Sequence, residues 1–320
     1  MSSFVTPSLS TLCLLGKVEV VRAVLERGKH EGPRGGAMLS WENVNYRISE
    51  NQTVLMQTAL MPSEEHVSIL RVLLEQPSIE VNLKDDEGLT ALHLATRCRN
   101  IEAVKLLLAD QRVDVNCKAS KRQVIDNVPY DQITPLMMAA SNAENFDIFK
   151  LLMSEQRIDV NCTSPYGGGT TVLMSSSLHY NVKAARILLE DPRVDVNWMN
   201  SMGLSGLHAA ADPRCNAKIM ELFLAHPRVD VNCKNGPLGE TVLHWAVATN
   251  NLGAVKLILA EPSFTSANAL VELKTNIMST AVRMAASECH WEILKELVHH
   301  PSVDLDAKDK NGVGVDVLAR

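Results

Sequence analysis

Apolar residues along this chain come in short bursts separated by polar turns, and inside a burst their spacing is helical. Ile101, Val104, Leu107 and Leu108 fall at i, i+3, i+6 and i+7, which puts them on one stripe of a helix. The order is constant from burst to burst: a polar turn, then Thr-x-Leu-His or a relative, then a short apolar stretch, then a second stretch such as Val104-Lys-Leu-Leu-Leu108. Each such block predicts a pair of helices.

The blocks are copies of one another. Val-Asp-Val-Asn occurs at 113–116, 194–197 and 229–232, with Ile-Glu-Val-Asn at 79–82, Ile-Asp-Val-Asn at 158–161 and Val-Asp-Leu-Asp at 303–306. Asn45, Asn82, Asn116, Asn161, Asn197 and Asn232 follow one another at intervals of 37, 34, 45, 36 and 35 residues. A fixed period of this length marks a stacked repeat, in which each unit buries its apolar face only against its neighbours.

Local signals agree with the period. Thr90 offers a hydroxyl where a first helix begins, as an N-cap does, and Thr53, Thr134, Thr171, Ser205, Thr241 and Thr280 take the same place. Pro135 stands at a first helical position, where a missing N–H costs nothing. Pro77, Pro192, Pro227, Pro262 and Pro301 follow the Leu-rich stretches and stop the second helix.

Units are expected at about 1–44, 45–81, 82–115, 116–160, 161–196, 197–231, 232–267 and 268–305, with half a unit after that. Residues 29–43, with the Gly32-Pro33-Arg34-Gly35-Gly36 run, and residues 118–133 are too long for the pattern and predict surface loops.

These residues resemble the ankyrin repeat over nearly the whole chain, most closely at Gly88-Leu-Thr-Ala-Leu-His-Leu-Ala95, at Gly239-Glu-Thr-Val-Leu-His-Trp-Ala246 and at the Asp-Val-Asn ends. The resemblance implies an all-α fold, an ankyrin-repeat solenoid of helix-turn-helix units with β-hairpin-like turns, forming a single domain over residues 1–320. The sequence departs from the family pattern in places. The usual Gly after the second helix is Pro or Gln, the usual His is Met56, Met137, Met174 or Arg283, and Phe264 to Leu270 is eroded.

Charge and cysteine content narrow the function. The formal net charge is −6, with acids and bases mixed along the length, so there is no basic stripe of the kind nucleic acid needs. Seven cysteines are an odd number, and Cys117, Cys162 and Cys233 inherit their spacing from the repeat, which predicts free thiols in a reducing compartment. The apolar patch at Leu12 to Leu15 is broken by polar residues, and no apolar run reaches the roughly 18 residues of a membrane span. A cytosolic or nuclear protein, monomeric and not attached to membranes, is expected.

Candidate chemistry is absorbed by the repeat. His93, His208 and His244 recur at one repeat position in different layers, so no shared metal ion is expected; the resemblance implies that they tie helix starts to neighbouring backbone. His290, beside Cys289, and His299-His300 lack the spacing of a ligand set and read as surface histidines. Gly167-Gly-Gly169 lacks the Lys-Ser/Thr of a phosphate loop and reads as a flexible turn. No catalytic constellation stands out from the repeat background, so neither enzymatic activity nor a cofactor is expected.

The expected function is binding of a protein or peptide through the hairpins and the inner face. Trp198, Met199 and Met202 fall in a hairpin where the repeat requires no large apolar group, and Val124, Ile125 and Tyr130 lie in the long 118–133 insertion, expected on a neighbouring part of the same edge. Two other readings stand beside this one. The chain is the recruiting part of a larger assembly, such as a ubiquitin ligase adaptor; or Asn116, Asn161, Asn197 and Asn232, which match the motif, are substrates of an asparaginyl hydroxylase.

Overall fold

The computed structural model describes residues 8–30, 44–119, 123–125, 128–130, 132–214, 217–234, 240–262 and 281–300. The chain divides into two compact units, Met1–Ser164 and Pro165–Arg320.

Among the described residues the first unit contains four helix pairs: α1 (Leu9–Leu14) with α2 (Val18–His30), α3 (Val54–Leu60) with α4 (Glu64–Leu74), α5 (Ala91–Arg97) with α6 (Ile101–Ala109), and α7 (Pro135–Ala140) with α8 (Phe146–Ser154). The second contains α9 (Val172–Leu178) with α10 (Val182–Glu190), α11 (Gly206–Ala210) with α12 (Ala217–Leu224), α13 (Val242–Ala248) with α14 (Leu252–Ala260), and α15 (Ala281–Ser287) with α16 (Trp291–His299). One pair falls within each expected repeat. Within each unit, first helices pack on first helices, as in α3 on α5 and α11 on α13, and second helices on second helices, as in α4 on α6 and α12 on α14.

The helices start and stop for local reasons. Hydroxyls of Thr53, Thr134 and Thr171 accept from the backbone N–H of Met56, Met137 and Met174 at 3.3, 3.3 and 3.2 Å. Second helices are capped by asparagine: Oδ1 of Asn100, Asn181 and Asn251 accepts from the N–H of Ala103, Ala184 and Ala254, each at 3.1 Å. In α6 the buried residues are Ala103, Val104, Leu107 and Leu108, whereas Ile101 of the expected stripe is half-buried. Phe149 and Phe223 are the largest side chains wholly withdrawn from solvent. Single antiparallel bridges, Arg47 to Thr53, Met199 to Ser205 and Lys234 to Thr241, close the turns that lead into first helices.

The insertion at 118–133 is more ordered than a loop. Strands β1 (Gln123–Ile125) and β2 (Val128–Tyr130) pair antiparallel, with Val124 opposite Pro129 and Ile125 opposite Val128, and Ala119 N–H donates to Ile133 O at 2.9 Å at its base. β-branched Val124, Ile125 and Val128 favour this pleated pairing. The loop expected from residue 29 begins later, because Lys29 and His30 belong to α2. Residues 31–43, Thr280, Pro301, the Phe264–Leu270 segment and the terminal half unit lie outside the described residues.

In five of the pairs the turn between the two helices contains a left-handed residue, whereas the α3–α4 and α7–α8 turns contain none. Gly16 supplies it with φ 67°, but Arg99, Tyr180, Asn250 and Cys289 take the same conformation with φ of 58°, 58°, 54° and 59°. A side chain there costs roughly 1–2 kcal/mol, less for asparagine. Tyr180→Gly and Cys289→Gly are therefore expected to raise the unfolding free energy by about 0.5–1 kcal/mol each, after the entropy cost of glycine is deducted. Urea titration measures this, and a lower midpoint for both variants would refute the strain argument.

Candidate functional site

The recurring Arg-Val-Asp-Val-Asn phrase is a clamp between repeats. Asn116 Nδ2 donates to Arg157 O at 2.7 Å while its Oδ1 accepts from Asp159 N–H at 2.8 Å, so one amide grips the turn of the next repeat from both sides. Asn45 does the same to Ser78 O and Glu80 N–H, Asn82 to Arg112 O and Asp114 N–H, and Asn197 to Arg228 O and Asp230 N–H.

The arginine of the phrase works in the opposite direction. Arg112 donates to Leu74 O and Gln76 O at 2.5 and 3.0 Å, Arg157 to Leu108 O and Val113 O at 2.7 and 3.1 Å, and Arg228 to Leu189 O, Asp191 O and Val194 O at 2.5, 2.8 and 3.1 Å. Leu74, Leu108 and Leu189 lie in the last turns of α4, α6 and α10. Those carbonyls have no helical partner, and a cation at the negative end of the helix suits them. Hydrogen bonds from Arg112, Arg157 and Arg193 hold the carboxyls of Asp110, Glu155 and Asp191 below the usual range.

The recurrent histidines are structural; His93 bridges to the next repeat as expected, whereas His208 Nε2 is buried without a hydrogen-bond partner. His93 Nδ1 receives Thr90 N–H at 3.3 Å, and its Nε2 lies 3.0 Å from Ile133 O in the next repeat. The ring must therefore be neutral, with its proton on Nε2. Ser205 N–H and Thr241 N–H donate in the same way to Nδ1 of His208 and His244, at 3.2 and 3.1 Å. Burial lowers the pKa of both His93 and His208 to about 4. Where methionine replaces the histidine at Met56, its sulfur accepts from Thr53 N–H at 3.4 Å, so a thioether takes over the Nδ1 role.

The surface reading of the remaining histidines needs correction. His299 is exposed, but His300 is half-buried with Nε2 3.1 Å from Leu259 O, where it caps the last turn of α14, and His290 is half-buried at the N-cap of α16. Among the described residues no group of three His, Cys, Asp or Glu could hold a metal ion, and no helix is long and apolar enough to cross a membrane. Cys13, Cys98, Cys117, Cys162, Cys233 and Cys289 are free thiols, and burial pushes those of Cys162 and Cys233 up to about 11.

The hairpin of Trp198, Met199 and Met202 is tightly built. Asn200 is buried; its Nδ2 donates to Gly167 O at 2.7 Å, and its Oδ1 accepts from Met202 N–H and Leu204 N–H at 3.0 and 2.8 Å. Ser201 N–H adds a bond to Gly168 O at 2.8 Å. The Gly167–Gly169 turn, far from being a loose tether, has left-handed φ throughout and lies against this hairpin. A Cβ on Gly169 would stand 2.9 Å from Trp198 Cη2, and one on Gly168 would stand 2.3 Å from Ser201 Oγ and 3.4 Å from Met202 Cγ. Trp198 and Met199 are half-buried, whereas Met202 is 51% exposed.

Val124 and Ile125 lie on β1 and Tyr130 on β2, in the other compact unit from Trp198, and their side chains lie outside the description. Asn161 and Asn197 are exposed; Asn116 and Asn232 are half-buried.

Paired helices at a fixed period, joined by bridged turns and clamped by Arg and Asn, define a protein built from stacked helical repeats. A family model described as ankyrin repeats (3 copies) matches residues 9–119, 136–235 and 207–310, and the chain belongs to the ankyrin-repeat family. Among solved structures it is similar to the crystal structure of the ankyrin repeat domain of Bcl-3, described as a unique member of the IkappaB protein family. That match has 23% identity and a TM-score of 0.59, and covers 73% of this chain and 95% of that one; at this identity it speaks to the fold alone. A search of curated proteins finds no match. Ankyrin repeats are generic protein–protein interaction modules, and the family assignment makes binding of a protein partner the coarse function of this chain.

Proposed function

We propose that this chain is a non-enzymatic scaffold that binds its partner through the hairpin of Trp198, Met199 and Met202, with Val124, Ile125 and Tyr130 of β1 and β2 as a second contact. The observation that carries the reading is Met202: a large apolar side chain, 51% exposed, on a backbone fixed by the Asn200 bonds. With the backbone already fixed, a partner that covers this group has only the side chain left to order.

Met202→Glu is expected to leave the far-ultraviolet spectrum and the melting temperature unchanged while removing at least one protein that the wild-type chain captures from cells, scored by quantitative mass spectrometry. Identical captured sets would end this reading. Trp198→Ala makes a poorer probe, because the indole lies on Gly169 and its loss lowers stability together with affinity. Tyr130→Ala is expected to weaken partner binding by roughly 1–3 kcal/mol.

The exposure of Asn161 and Asn197 favours a second reading, in which an asparaginyl hydroxylase modifies the chain. Both amide ends of Asn197 hold the next turn, so modification there requires local opening. Incubation with the enzyme is expected to add oxygen at Asn161 or Asn197, and faster when Arg228→Met loosens the turn. An unchanged intact mass in both proteins would dismiss it.

A further inference from the structure

The hairpin proposed above lies in a stretch of chain without charge. From Pro165 to Val182, and again from Val196 to Ala211, there is no Asp, Glu, Lys or Arg, although charged residues make up 21% of the sequence. Around α5 the matching positions carry charge: Asp86 and Glu87 before the helix and Arg97 and Arg99 at its end are all exposed, although residues 51–63 and 132–143 of the first unit carry none. The second unit instead exposes Tyr180 at 45% and Met202 at 51%, with Leu178, Trp198 and Met199 half-buried.

Burial alone does not explain the difference. The equivalent positions around α5 are exposed and charged on the same fold, so the fold tolerates charge there. Glycines make the apolar groups lie close: at Gly169 and Gly168 any side chain would collide with Trp198 or Ser201. The turn therefore holds an indole and a thioether against its backbone, and the Asn200 and Ser201 bonds keep both hairpins in register.

We infer that this face of the second unit recognises an uncharged peptide segment of a partner, one rich in aliphatic or aromatic side chains. This rests on the reading of the Met202 hairpin as the docking surface. A charged segment would be desolvated against a hairpin whose own residues carry no charge, which is costly, whereas an apolar segment gains from contact with Trp198 and Met202. Methionine adapts to varied apolar shapes, and the pre-ordered tryptophan loses little entropy.

The test is selection of random peptides displayed on phage against the full-length chain, followed by titration of the most enriched synthetic peptide at low and high salt. The expected peptides carry aromatic and aliphatic residues and almost no charge. Their Kd changes less than about twofold between 0.05 and 0.5 M salt, because no ion pairs are there to be screened, and rises roughly tenfold with Met202→Glu, as for loss of a central contact. Enriched peptides that are charged and salt-sensitive, yet still lose binding with Met202→Glu, would overturn the uncharged-partner inference and leave the hairpin as the docking surface. Enriched peptides indifferent to Met202→Glu, or no enrichment at all, would overturn both.

Discussion

Lowering the pH from 7 to 5 is expected to remove on the order of 4 kcal/mol of stability from this protein through two residues, His93 and His208. Burial lowers each pKa from the ordinary 6.5 to about 4. The folded-state value lies below the unfolded one, so the unfolded chain takes up the proton first. The stability that each ring contributes is complete above pH 6.5 and is lost as the pH falls towards 4, at about 1.4 kcal/mol per pH unit, or roughly 2 kcal/mol each by pH 5. Geometry gives the same sign: protonated Nδ1 of His93 could no longer accept from Thr90 N–H. At pH 5 the paired carboxylates Asp110, Glu155 and Asp191 remain ionised, so they do not confuse the comparison.

A substitution already present in the sequence provides the control. Met56 shows that a thioether can accept from the N-cap N–H, so His93→Met with His208→Met keeps the local bond and removes both titrating groups. The double variant gives up the His93 contact to Ile133 O and is expected to be somewhat weaker at pH 7. Its stability between pH 7 and 5 is nonetheless expected to be nearly flat. Urea titrations at the two pH values measure this, and an equally steep loss in the double variant would show that the acid sensitivity lies elsewhere.

Arg228→Met is expected to cost about 2–4 kcal/mol, because it strands three carbonyls that a charged donor now satisfies while keeping most of the side chain's apolar stem. Loss of amide protection should concentrate in the last turn of α10 and in the Asp230 turn, since Arg228 O also anchors Asn197. Asn197→Asp separates the two halves of the clamp: it keeps the acceptor for Asp230 N–H and loses the donor to Arg228 O, so its cost should be the smaller. Hydrogen exchange with denaturant titration reads both variants. A midpoint unchanged in Arg228→Met would mean that water serves these carbonyls as well as the guanidinium does.

Much of the candidate site could be read from residues alone, in the sense that the repeat background identifies what does not belong to it. Trp198, Met199 and Met202 stand out as three large apolar side chains in one turn, where Cys117, Cys162 and Cys233 follow the asparagine in other units, although Tyr46 and Leu83 also take the place of Trp198. The clamps were harder to see. Arg112, Arg157 and Arg228 recur as regularly as the asparagines, but their partners are backbone carbonyls, which every residue has and no sequence marks. The one available signal was that an arginine and an asparagine keep their spacing in a phrase otherwise chosen for burial at Val113 and Val115, or Val229 and Val231.

By itself the sequence determined the helix pairs, their number, their starts and stops and their family, because these follow from local spacing: apolar stripes, hydroxyl caps and prolines act within a few residues. Tertiary structure decided what lay between repeats. It turned the insertion into a hairpin, set Trp198 on Gly169, made His300 a helix cap and sent Arg228 to the end of α10, a separation of 39 residues from Leu189. Contacts of that range depend on how one repeat stacks on the next, and a side chain's partner across that stack is set by the position of a neighbouring backbone rather than by the residues beside it in sequence.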